Sequence, residues 1–268
     1  MIRFIAHPTD FSAEGIAAFE HALALALLNR CPLVLLHVYL PSEPREFEGF
    51  PQIRDTLQRW HYLTPGAQQA DVLPKTGVKV TKVDLRDDEA VDGLCTFLND
   101  HRPDLIVMAT HGRAGIERWL KGSVSAGVVK NTLVPTLIFG RDVRPFVASD
   151  TGAINIRTVV VPVDHSPSPN LVTRKLADLT EALKVSLDYV HVGEQVPAVW
   201  DGAGGRRPIR KLVGPVVDAL LKEAAQSQLL AMPTAGRHGF LDAIRGSTTE
   251  RVVSRADCPL LVLPVPFL

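Results

Sequence analysis

Cysteine is scarce in this chain, and a net charge is missing altogether. The 268 residues include three cysteines, Cys31, Cys95 and Cys258, far apart and without a CxxC pair. That spacing excludes a zinc ribbon or a disulfide framework and points to reduced, buried thiols in a cytoplasmic protein. Lys plus Arg and Asp plus Glu number 29 each, so no global field draws the chain to nucleic acid or to an anionic membrane. A long uncharged apolar run is also absent. The stretch AHPTDFSAEGIAAFEHALALALLNR is interrupted by Asp10, Glu14, Glu20 and His21, so it is no membrane span. The opening MIRFIAHPTDFS is too short and too soon polar for a signal peptide. There is no lysine behind a phosphate-binding glycine loop, no GxSxG elbow for a serine nucleophile and no HxxxH metal pair. No metal site or catalytic residue is expected. What is present is 46% hydrophobic residues, enough for a real core.

The chain is written twice. With Gly112 set on Gly236, a shift of 124, identical residues meet at Met108, Thr110, Gly112, Arg113, Gly115, Gly122, Ser123, Val128, Val129, Pro135 and Leu137. The starts of the halves align at a shift of 154, which brings Ile2, Arg3, Pro8, Asp10, Ser12, Leu25, Leu33, His37 and Val38 onto identical residues. The first half therefore holds 30 extra residues, spent between Pro41 and Gly77. The expected domains are 1–141, with the insertion 41–77, and 154–268, joined by a polar linker at 142–153.

Within each half, short apolar runs (RFIAHP, PLVLLHV, DLIVMAT and PTLIF in the first, TVVVPV and PLLVLPV in the second) alternate with helical patterns. A helix beginning near Ser12 takes its apolar face from Ile16, Phe19, Leu23 and Leu27. Such alternation implies a parallel sheet covered on both faces, with a doubly wound open sheet as the leading topology. In the insertion, Ile53, Leu57 and Trp60 or His61 have helical spacing, with Arg54, Asp55 and Arg59 opposite. Trp60 and Tyr62 with Arg54 and Arg59 leave two readings open, a stacking surface for nucleic acid or an amphipathic lid or dimer helix. GGRRPIRK, residues 204–211, reads as a solvated basic turn.

In a doubly wound sheet ligands bind beyond the carboxyl ends of the strands. Asp10 and Asp164 follow the first strand of each half, on that edge. DLIVMAT runs out at the same edge into His111 and Gly112, and Gly122-Ser123 opens the next helix nine residues later. A helix start offers free N–H groups to a phosphate, glycine lets the backbone approach, and Ser123 and Ser125 add hydroxyl donors. The same residues also serve as ordinary caps and turns. His37 and His191 each end an apolar strand, and a packing role is expected for both.

Taken together, PTDFS (8–12), LLHV (35–38), MATHG (108–112) and GSVS (122–125) resemble the universal stress protein family in its tandem-domain form. A weaker second copy has PVDHS, YVHV, MPTAG and GSTT. The resemblance implies two Rossmann-like domains of the adenine-nucleotide alpha-hydrolase kind, each with a five-stranded parallel sheet, packed as a pseudo-dimer through their last strands. It implies an adenine nucleotide (ATP, ADP or AMP, with Mg) as ligand, a homodimer, an unidentified protein partner, and no nucleic acid or membrane. Its nucleotide-binding members place Thr9, Asp10 and Val38 by the adenosine. Met108, Ala109, His111, Gly112, Gly122, Ser123, Val124 and Ser125 then wrap ribose and phosphates. The second copy offers Asp164, Val192, Gly236, Gly246, Ser247 and Thr248. The family signature has glycine where this chain has Ala109 and Pro233. Alanine keeps the backbone N–H, whereas proline removes it, so the first half is the expected binding half. The implied role is regulation or assembly in a cytoplasmic stress response, with at most slow ATP hydrolysis. The alternative is a structural regulator that holds no nucleotide.

Overall fold

Aliphatic runs without polar alternation form strands that are buried on both faces. The computed structural model describes residues 1–13, 15–39, 49–110, 124–140, 143–200, 204–235 and 248–265. The strands are β1 (Ile5–Pro8), β2 (Leu33–Tyr39), β3 (Val80–Arg86), β4 (Leu105–Ala109), β5 (Thr136–Phe139) and β6 (Thr158–Pro162). Then follow β7 (Ser186–Val192), β8 (Val199–Trp200), β9 (Arg206–Arg207), β10 (Ile209–Leu212), β11 (Leu230–Ala235) and β12 (Leu260–Val265). The helices are α1 (Gly15–Asn29), α2 (Ile53–Arg59), α3 (Gln69–Thr76), α4 (Ala90–His101) and α5 (Val124–Thr132). They continue with α6 (Pro169–Thr180), α7 (Val216–Gln226) and α8 (Thr248–Val253).

By contact the chain forms two compact units. One gathers Ile2–Ala109 and Phe146–Asn155, the other Met1, Thr110–Pro145 and Ile156–Leu268. In the first, β3-β2-β1-β4 pair in parallel. In the second, β10-β7-β6-β11-β12 pair in parallel, and β5 joins β12 antiparallel. This is the doubly wound α/β architecture implied by the sequence.

Strand register shows that the repeat is physical. Ile5, Ala6, His7 and Pro8 stand opposite Leu33, Val34, Leu35 and Leu36. A shift of 154 turns these pairs into Val159–Leu187, Val160–Asp188, Val161–Tyr189 and Pro162–Val190, all of which occur. The last strands pair as Thr136–Val262, Leu137–Leu261 and Ile138–Leu260. Leu137 thus faces its own repeat equivalent, as a local two-fold axis between the last strands requires. Around β11 and β12 the second unit buries Val160, Val190, Leu220, Met232, Val252 and Val262.

Some expectations change. Ile16 is 54% exposed, while α1 is buried on all sides from Ala18 to Leu27. The cause is a second covering layer. Arg59, at the end of α2, pairs with buried Glu20, and Ser149 Oγ donates to the same carboxylate. The Nε2 of buried His21 accepts from the backbone N–H groups of Phe146 and Val147, both at 3.0 Å, so its Nδ1–H donates to Ala17 O. Segment 146–155, within and just beyond the expected linker, is therefore packed against the first repeat.

The helix expected in the insertion forms, with Leu57 and Trp60 buried and Arg54, Asp55 and Arg59 exposed. Trp60 is no stacking surface for nucleic acid: it is 4% exposed and its Nε1–H donates to Ser149 O at 2.9 Å. The basic stretch 204–211 also departs from a turn, since Arg206–Arg207 form β9 and Ile209–Leu212 form β10.

Two tests follow from this packing. Gly152 has φ +70°, and a Cβ there would overlap the Trp60 ring, whereas Gly66 has φ +82° and open space. Gly66→Ala should cost about 1 kcal/mol for the left-handed backbone alone. Gly152→Ala should cost at least about 1–3 kcal/mol more, because the indole must move. Equal losses in chemical denaturation would mean that Trp60 is not seated against Gly152.

The second test uses pH. Burial lowers the His21 pKa to about 4, and it lowers His7, whose Nδ1–H donates to Val107 O, to about 4 as well. Both folded values lie below the unfolded 6.5, so stability is full above pH 6.5 and declines as pH falls toward 4. Each shift corresponds to at most about 3 kcal/mol. Denaturation at pH 7.5 and 4.5 should show this loss, and His21→Gln should remove about one proton from the slope. A flat profile from pH 7 to 4.5 would contradict it.

Candidate functional site

Parallel strands end together, and the first unit ends three of them near the expected residues. Pro8 lies opposite Leu36, and the β1–β4 register of Ile5–Leu105 and Ala6–Ile106 brings Met108 level with Pro8. Two residues further on, Asp10 comes level with Val38. Thr9 is half-buried, Asp10 exposed, Val38 and Ala109 half-buried, and Met108 buried in the sheet.

The loop after β1 is tightly organised. Thr9 N–H donates to Leu36 O at 2.8 Å, carrying the sheet pairing one residue beyond β1. Thr9 Oγ1 accepts from Phe11 N–H at 3.2 Å. Asp10 Oδ1 accepts from Ser12 N–H at 3.2 Å and from Ser12 Oγ at 2.6 Å, an Asx turn that leads into α1. A Cβ on Gly15 would stand 3.6–3.8 Å from Ser12 Oγ, Asp10 Oδ1 and Thr9 Oγ1. Three oxygens therefore gather at the start of α1. Phe11, at φ +62°, stacks on His37 with ring centroids 3.9 Å apart and meets Phe50 edge-on. Phe11 and Phe50 carry no signal in the sequence, because no periodicity links a loop residue to the insertion.

His37 Nδ1–H donates to Thr9 O at 2.6 Å. His191 Nδ1–H donates to Val163 O at 2.8 Å, the equivalent atoms at a shift of 154. Both histidines brace the carbonyl that follows the first strand of their repeat. That is the expected packing role.

The second repeat has the same edge within the other unit. Val160 pairs with Leu230, as Ala6 does with Ile106, so Asp164, Val192 and Thr234 come level. Asp164 is exposed and its Oδ1 accepts from His165 N–H, not from a serine. Val192 and Pro233 are half-buried, and Pro233 lies inside β11 opposite Leu263. Thr248, half-buried, opens α8. Val124 and Ser125 open α5 in this second unit, Val124 exposed and Ser125 buried. His111, Gly112, Gly122, Ser123, Gly236, Gly246 and Ser247 lie outside the described residues.

Comparison with known proteins fits this arrangement. A family model, the universal stress protein family, matches residues 1–140 and 195–264. The chain belongs to that family. A universal stress protein of Mycolicibacterium smegmatis is 25% identical over 287 aligned positions, covering 95% of this chain and 94% of that one. Another, from Methanocaldococcus jannaschii, is 29% identical over 136 residues, 49% of this chain and 78% of its own. Among solved structures, a universal stress protein from Archaeoglobus fulgidus superposes with a TM-score of 0.63 at 20% identity. That superposition covers 97% of this chain and 96% of the other. A functionally unknown protein from Pseudomonas aeruginosa gives 0.67 at 14% identity, covering 98% and 92%. At such identities the likeness is one of fold. Among the described residues, no helix of this universal stress protein is long and apolar enough to cross a membrane.

The edge is closely packed from below. A Cβ on Gly93 of α4 would lie 2.9 Å from Asp87 Cβ and 3.4 Å from Val38 Cγ1. Gly→Ala within a helix ordinarily gains up to about 1 kcal/mol. Here crowding of about 1–3 kcal/mol should outweigh it. Gly93→Ala should therefore lower the melting temperature, and a raised one would show that Val38 and Asp87 yield freely.

Proposed function

We propose that this universal stress protein binds an adenine nucleotide at the carboxyl edge of its first repeat and acts by regulation or assembly rather than by catalysis. The observation that supports this most is the convergence of Asp10 and Val38 on one level of that edge, with Thr9, Asp10 and Ser12 oxygens gathered at the start of α1. An exposed carboxylate there accepts from a ribose hydroxyl or a base amine. Val38, Met108 and Ala109 supply the apolar side, and by the family resemblance His111, Gly112, Gly122, Ser123, Val124 and Ser125 would hold the phosphates, with Mg²⁺ neutralising their charge. Both histidines at the strand ends are already committed through Nδ1 to backbone carbonyls, which favours a holding role over proton transfer. Homodimerisation, an unidentified protein partner and a cytoplasmic setting belong to the same proposal, as does the division into 1–141, 142–153 and 154–268.

The second repeat supports a different reading of its own edge. Pro233 has no N–H where Ala109 keeps one, and the helix-side Ser12 of the first loop has its place by Asp10 taken at Asp164 by His165. Asp164, Val192, Gly236, Gly246, Ser247 and Thr248 then form a structural copy that holds nucleotide weakly or not at all.

Mass spectrometry of small molecules released from the freshly purified protein tests the first reading, and equilibrium dialysis with ATP tests the ranking. Gly122→Leu should abolish most binding and Gly246→Leu should change it little. Equal losses from the two would reverse the ranking. No released nucleotide together with no measurable ATP binding would favour the regulator that holds none.

A further inference from the structure

The insertion of the first repeat does more than cover α1. It forms an open-mouthed cavity of about 400 Å³ against the outer strand of its unit, lined by the start of α2, by α3 and by the amino half of β3. Three cations line it, Arg54, Lys79 and Lys82, and no carboxylate does. The side-chain amides of Gln52 and Gln69 add neutral donors, and Val72, Leu73 and Val80 contribute an apolar wall.

Arg3 pairs with Asp104, Arg59 with Glu20, and Arg210 with both Asp188 and Glu223. Among the described residues Arg54, Lys79 and Lys82 form no ion pair. The Lys82 ammonium stands 5.6 Å from the centroid of the Phe50 ring, which fixes its position. Burial first, and the like charge of Arg54 second, hold its pKa below the ordinary lysine value. Cations gathered in a cavity repel one another until an anion enters.

We propose that this cavity binds a small ligand carrying phosphoryl groups, with a charge of −2 to −3. Two of its three cations are lysines, compact point charges that suit the many-sided oxygens of a phosphoryl chain better than a flat carboxylate. The volume exceeds that of one phosphate ion, and the valine wall accepts an organic body. The cavity is separate from the nucleotide edge: Val80 and Lys82 stand level with Leu33 and Leu35, and Val38 with Leu85, toward the other end of the strand.

The test is an NMR titration of the full chain with inorganic pyrophosphate at constant ionic strength, with tricarballylate, a tricarboxylate, as comparison. Saturable shifts should appear at the Gln52 and Gln69 side-chain amides and at the Val80 amide. The Lys82 ε-methylene titration should move to higher pH when pyrophosphate binds. Lys82→Gln and Arg54→Gln should each weaken binding about tenfold or more, as loss of a charge-assisted contact requires. Arg54 is exposed, so its variant keeps the test valid if Lys82→Gln does not fold. Shifts confined to Asp10, Val38 and Ser125 would place the anion at the nucleotide edge and overturn the proposal. So would unsaturable shifts spread over surface lysines, or affinity unchanged in both variants. Equal affinity for tricarballylate would overturn the phosphoryl assignment. Each of these outcomes is independent of whether ATP binds.

Discussion

The antiparallel ladder between β5 and β12 is the constraint that ties the last strands of the two repeats into one compact unit. It joins the last strand of one repeat to the last strand of the other, with Leu137 opposite Leu261, its own equivalent. A two-fold relation between copies needs such a self-facing contact, because only equivalent residues can meet on the axis. Every other described strand neighbour named above is parallel and lies within one repeat. The parallel pairs set the carboxyl edges, and the antiparallel β5–β12 ladder joins the two last strands inside the second unit.

Parallel pairing also explains why the polar residues sit where they do. All β1, β2 and β4 carboxyl ends point the same way, so loops that follow them share an edge without any long-range design. The histidines near the carboxyl ends of β2 and β7 then brace the loop carbonyls after β1 and β6, at equivalent atoms in each copy. Once that brace exists, the loop is free to vary. Asp10 engages a serine and Asp164 a neighbouring backbone N–H, although both carboxylates stand at the same level.

Much of the fold was legible in the sequence because its inner strands are apolar on both faces. RFIAHP and TVVVPV need no partner information to be read as buried strands. The outer strands β3 and β10 escaped that reading. VTKVDLR carries charge at alternate positions and IRKL carries Arg210 and Lys211 side by side, because each strand has only one strand neighbour within its unit and a partly solvated face. The one-sided face expected for α1 failed for a related reason. Its second covering layer comes from segment 146–155, more than a hundred residues away, and only the odd polar pair Glu20 and His21 hinted that something met them. The nucleotide edge was legible as motifs, Asp10 and Val38 above all. The phosphate-facing glycines 112 and 122 lie outside the described residues. The cationic cavity was invisible in the sequence, since Arg54 and Lys82 meet only through the way the insertion folds back on β3.

The division of the chain into compact units has a consequence for synthesis. Everything the first unit needs, from Ile2 to Ala109 and then Phe146 to Asn155, leaves the ribosome in the first 155 residues. That unit can close around α1, with His21 capped by Phe146 and Val147, before the second repeat exists. Strand β5 is in a different position. Its antiparallel partner is made 124 residues after it, at Leu260–Leu261–Val262, so on a nascent chain Thr136 to Ile138 wait with one edge unanswered through almost half of translation. The tandem gene thus turns an encounter between two finished chains into a delay within one, measured in elongation time rather than in concentration.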